Sequence, residues 1–235
     1  MHENIAGTLD RAEELYQELM AEYDRSLSEK SVRPRAIQLT HEVCERLRSV
    51  LDRVARRYWD IHISPALSEA DHKAGQVYFP ITQDQAGFDS VLGRWRWKSV
   101  RQQHQAVYDF LEKLQPFSHS NNRWLSILRD IAVQGKHIDL VPQTRTEERR
   151  TTVRGASGAV SWNQGVRFSG NIRVMGAPIN PETQRILPTP GVTETVEIWV
   201  SFLLAEYNVN AAGFCKSAYE ETRRIAAGMS KEFGL

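Results

Sequence analysis

The chain has little cysteine, no long apolar run and almost no net charge. Its 235 residues hold two cysteines, Cys44 and Cys215, and no CxxC pair. That excludes a zinc cluster of the usual spacing and a disulfide framework. Buried free thiols in a reducing compartment are expected instead. No segment approaches the roughly 20 apolar residues of a spanning helix. The opening MHENIAGTLDRAEELYQELM is acidic and amphipathic and lacks the apolar core of a secretory leader. A cytoplasmic protein with no membrane partner is therefore expected. A net charge of +1 with 25% charged residues implies neither disorder nor bulk attraction to nucleic acid. GxSxG, Walker, GxGxxG and HExxH motifs are all missing. His41 and Glu45 stand one helical turn apart without a second ligand pair, so no metal and no cofactor are expected.

What is present is helix, and arginine. Arg outnumbers Lys by 23 to 7. The guanidinium is the better fork for phosphates and carboxylates, and it serves equally in ordinary ion pairs. Apolar residues at helical spacing predict a helix over about 4–28 (Ile5, Leu9, Ala12, Tyr16, Leu19, Tyr23). A second follows over about 38–60, with Val43, Leu47, Val50, Leu51, Val54 and Tyr58 inward and Glu42/Arg46 and Asp52/Arg56 as i,i+4 pairs. Pro34 breaks the chain between them. VYFPI at 77–81 reads as a short strand or extended plug, and 85–93 as a short helix. Further helices are predicted over about 99–115, stopped by Pro116, and about 121–134, stopped by Gly135.

After Pro142 the helical pattern gives way to Gly, Pro and β-branched residues. AVSWN, GVRFSG, NIRVMG and TETVEIWVSFLLAEY read as strands. INPETQRILPTPG reads as an exposed loop and RTEERR, at 145–150, as a solvated linker. A last helix is predicted over about 209–230. The fold class is α+β: a bundle of about four helices (1–142), then an antiparallel meander of four or five strands and a C-terminal helix (143–235), packed as one unit.

The stretch LQPFSHSNNRWLSILRDIAVQGKHIDLV resembles a segment of uncharacterised bacterial and phage proteins. The matching residues are Leu114, Gln115, Pro116, Phe117, Leu125, Leu128, Ile131, Lys136 and His137, with VYFPI as the upstream part. The resemblance covers roughly residues 75–142 and brings no activity with it. More distantly, a helical bundle with Arg and His at a helix end is similar to HEPN-type domains. Several of those are metal-independent ribonucleases of toxin and phage-defence systems, whose motif sets an Arg four to six residues before a His. In RDIAVQGKH seven residues separate Arg129 from His137, whereas the HEPN spacing occurs at Arg57/His62, Arg56/His62 and Arg35/His41.

What the resemblance implies is an RNA-directed site at Arg129, Lys136 and His137. Cleavage by the 2′-OH needs a group of near-neutral pKa and a cation on the phosphate, and His and Arg supply these. On one continuous helix Arg129 and His137 would stand ~12 Å apart, so Gly135 would have to turn the chain back. The alternative is that Lys136 and His137 neutralise the carbonyl end of the helix. In GRWRWKSVR, Trp95 and Trp97 alternate with Arg94, Arg96 and Lys98, with Arg101 beyond. Such alternation can stack bases and hold phosphates, or pin two rings into the core. Two function classes stay open: an RNA-acting, HEPN-like protein, and a non-catalytic module that dimerises or binds a partner protein. A homodimer is the expected assembly in either case.

Overall fold

Two long helices open the chain. A computed structural model describes residues 1–29, 31–96, 103–134, 143–163, 165–204 and 206–235. α1 (Glu3–Glu29) and α2 (Pro34–His62) pack along their length. Pro34 sits in the first turn of α2, where its missing N–H costs nothing. The stripe from Ala36 to Trp59 that includes Val43, Leu47, Val50, Leu51 and Val54 is buried. Burial of each such side chain contributes about 1.5–3 kcal/mol, against about 0.3–0.5 for an exposed i,i+4 ion pair. Packing therefore sets the face. The ion pairs of α2 are one turn out of step with expectation: Arg48–Asp52 at 2.9 Å and Arg56–Asp60 at 2.9 Å. Glu42 pairs instead with Arg35 at 2.6 Å.

Five more helices follow among the described residues: α3 (Glu69–Ala74), α4 (Gln85–Arg94), α5 (Gln105–Lys113), α6 (Arg123–Gln134) and α7 (Ala211–Phe233). α3 has no apolar stripe to announce it, although Ser68 caps it by accepting from the Asp71 N–H at 3.1 Å, a signal readable in SEAD. Asn210 caps α7 by accepting from the Gly213 N–H at 2.7 Å, and Gly234 ends it at φ 71. Cys44 on α2 and Cys215 on α7 are free and buried.

The chain divides into two compact units, residues 1–144 with 203–235, and residues 145–202. The C-terminal helix thus belongs with the first helices, because α7 packs on α2 and α1. In the β unit, β1 (Gln143–Gly155) and β2 (Gly158–Asn163) form an antiparallel hairpin with Val153 opposite Val160 and Thr151 opposite Trp162. β1 corrects the linker expectation for RTEERR: pairing with β2 and β6 decides its state, not its own composition. A three-stranded sheet joins β3 (Arg173–Val174), β4 (Ala177–Asn180) and β5 (Arg185–Ile186). Met175 (φ 51) and Gly176 (φ 83) turn β3 into β4, the two positive φ values a tight hairpin demands. INPETQRILPTPG is thus partly strand, and GVRFSG is not strand. β6 (Thr193–Leu204) is the long strand expected, and it pairs at its end with β7 (Val209–Asn210). Val153, Trp162 and Ile179 make a small core, with Phe168 set edge-on to Trp162 at 5.0 Å.

Candidate anion-binding groove

The segment 78–82 is extended but belongs to no sheet, so its backbone groups need partners from elsewhere. Side chains from four elements supply them. Trp95 Nε1 donates to the Tyr78 carbonyl at 3.1 Å and Arg48 to that of Phe79 at 2.9 Å. Gln115 Nε2 donates to the Pro80 carbonyl at 3.0 Å, and Arg129 to that of Ile81 at 3.2 Å. The Phe79 N–H donates to Asp52 at 2.8 Å, and the Thr82 N–H to Gln115 Oε1 at 3.1 Å. Trp59 Nε1 in turn donates to the Trp95 carbonyl at 2.8 Å. Phe79 and Ile81 are buried, while the Tyr78 ring, 60% exposed, stands outside.

That clamp accounts for several residues singled out in the sequence. Trp95 is fully buried, so no face of its ring is available for a base; it is a core residue, a correction to its expected stacking role. Arg129 holds Asp130 at 2.8 Å and 2.9 Å as well as the Ile81 carbonyl. Its guanidinium is engaged in structure. Arg94 ends α4, and its carbonyl accepts from the Gln76 N–H at 3.0 Å; Arg96 (φ 60) has its Nε 4.0 Å from Asp71. Trp97, Lys98, Arg101, Gly135, Lys136 and His137 lie outside the described residues.

The Arg/His spacings on α2 do not converge. Five residues along a helix turn a side chain about 140°, which separates His62 from Arg57 and, by a similar angle, from Arg56. The His62 Nε2 donates to the Phe233 carbonyl at 2.9 Å. Beside it, the Tyr58 hydroxyl meets His104 Nδ1 at 2.9 Å. Burial pushes Tyr58 up to about 12, and burial with the nearby His62 lowers His104. His104 is a packing residue, as its surroundings show. Arg35 is paired with Glu42 and Glu18, and His41 is buried.

An open groove of about 480 Å³ runs beside the clamped segment. One stripe of α2 floors it (Ser49, Asp52, Arg53, Arg56, Arg57, Asp60), the first turn of α1 closes one end, and Tyr78 forms the lip. Its charges do not balance. Asp52 is taken by Arg48 and the Phe79 N–H, and Asp60 by Arg56, whose guanidinium also lies 4.7 Å over the Trp59 ring. Arg53 and Arg57 are left with no ion pair or hydrogen bond among the described residues, and the Arg57 Nε is buried without a partner. The sequence carried the signal: three arginines on one polar stripe against two aspartates. No group of three or more His, Cys, Asp or Glu among the described residues is arranged to hold a metal.

The groove therefore offers two unspent guanidiniums and an exposed aromatic ring. No family model, curated protein or solved structure matches the chain.

Proposed function

We propose that this protein binds single-stranded RNA in the α2 groove, phosphates on Arg53 and Arg57 and a base against Tyr78. The carrying observation is that the two guanidiniums have no counter-anion of their own beside an exposed ring. They stand one turn apart, about 6 Å along the axis, a spacing that suits consecutive phosphates of an extended strand. Guanidinium plus aromatic is the sequence-tolerant way of holding single strands. The HEPN resemblance supports the same substrate class. With the Arg129 guanidinium occupied by Asp130 and Ile81, the reading is of binding without cleavage. Binding of a labelled oligouridylate, followed by anisotropy across a salt series, tests it. Arg53→Gln with Arg57→Gln should weaken binding and leave RNA intact in both proteins. Unchanged affinity in that variant would refute the reading.

A further inference from the structure

A second group of unspent arginines lies in the β unit. β1 turns Arg149, Thr151 and Val153 to the face that carries its core, and Val153 and Thr151 are buried there. Arg149, next along this face, opens onto a cleft of about 210 Å³ that Asn163, Arg167 and Thr183 also line. The Arg149 Nε is buried and has no hydrogen-bond partner. Neither Arg149 nor Arg167 has an ion pair or hydrogen bond among the described residues, and no carboxylate is among the lining residues. That nitrogen, shielded from water and unpaired, carries a desolvation penalty that nothing in the described chain offsets.

The cleft wall is fixed. Gln184, at φ 56, accepts the Phe168 N–H at 2.7 Å and donates to the Phe168 carbonyl at 3.0 Å, so its amide is spent on structure. Trp162 is held by Phe168. What faces the space is rich in donors: two guanidiniums, the hydroxyls of Thr151 and Thr183 and the Asn163 amide. One carboxylate would satisfy one guanidinium fork and leave the other cation unmatched. A phosphate monoester, a dianion with three terminal oxygens, matches both cations and the hydroxyls.

We propose that this cleft is a binding site for a small phosphate monoester, held by Arg149 and Arg167. It shares no residue with the α2 groove and does not depend on the RNA reading.

The test uses the full chain and follows phosphorus line width for inorganic phosphate and glycerol phosphate, with acetate as competitor. Saturable broadening is expected with the native protein and with Arg57→Gln. Arg149→Gln should weaken it at least ~10-fold, as loss of a charge-assisted fork implies, and Arg167→Gln should weaken it by less. If Arg149→Gln does not fold, as judged by circular dichroism, the Arg167→Gln result decides. Inorganic phosphate binding without glycerol phosphate would mean a site for the free ion and would overturn the ester. Equal broadening in Arg149→Gln, or in Arg167→Gln where that decides, loss in Arg57→Gln alone, or displacement by acetate at equal concentration would each overturn the site.

Discussion

The side chain of Gln115 is hydrogen-bonded to the main chain on both sides of Ile81. Its Oε1 accepts from the Thr82 N–H at 3.1 Å while its Nε2 donates to the Pro80 carbonyl at 3.0 Å and to that of Leu111 at 2.8 Å. A fully buried amide with three backbone bonds imitates a neighbouring strand. This is the physical content of the LQP element in the sequence.

Gln115→Leu should accordingly be among the most destabilising single changes in the helical unit. It strands the Thr82 N–H and the Pro80 carbonyl in the interior, and each unsatisfied buried group costs about 1–3 kcal/mol. Urea unfolding should show a loss of about 2–4 kcal/mol. A loss below about 1 kcal/mol would mean that water reaches the segment.

Trp95→Phe keeps an aromatic ring at this buried position but removes the N–H to the Tyr78 carbonyl and leaves a small cavity where the second ring stood. A stability loss of about 1–2 kcal/mol is expected, with RNA affinity nearly unchanged. A selective fall in affinity without loss of stability would return Trp95 to the binding surface.

Much of the fold is legible in the chain itself. α1, α2, α6 and α7 follow from periodicity, because each buries one continuous stripe, and β6 follows from its run of β-branched and aromatic residues. β1 is hidden: RTEERR has the composition of a linker and becomes strand only by pairing across the sheet. The site is less legible than the fold. Trp95 and Arg129 carry the residue types of nucleic-acid chemistry, yet both are spent on carbonyls of one extended segment, a use that depends on partners 17 and 48 residues away. Arg53 and Arg57 have no local mark beyond an excess of positive charge on one stripe.

Burial lowers the pKa of His41, and a backbone hydrogen bond at Ile131 only partly opposes this. The folded state therefore favours the neutral ring. The unfolded chain binds the proton more readily, so stability is full above the unfolded value of about 6.5 and falls as pH drops below it toward the folded value. His104 is shifted in the same direction. Denaturation midpoints should decline as pH is lowered through about 6.5, and His41→Gln should flatten that slope. A midpoint that rises on acidification would contradict the direction.

Hydrogen bonding with the Cys215 thiol and burial push the Cys44 thiol well above its ordinary value. A protonated, enclosed thiol is a poor nucleophile. Titration with a thiol reagent should be slow for both cysteines in native protein and complete within the dead time in denaturant. Rapid native labelling of either would show that the α2–α7 interface opens.

The last prediction sets stability against binding at Arg57. Its Nε is buried without a partner, and no carboxylate of the groove is left to pair with it. In the free protein this guanidinium is a cost, so Arg57→Gln should leave the melting temperature unchanged or raise it, by up to about 1 kcal/mol of stability. In the complex the same group would sit on a phosphate, and its removal should lower RNA affinity at every sequence tested. For a single strand the slope of log affinity against log salt should fall in magnitude by about 0.7, because one phosphate fewer is neutralised. Arg56→Gln supplies the control, because that arginine is already paired with Asp60. It should cost a few tenths of a kcal/mol in stability and change the salt slope little. Stability and affinity would then move in opposite directions at Arg57 and not at Arg56. Parallel losses of both at Arg57 would show instead that its guanidinium supports the fold, and the groove would have no free cation there to offer.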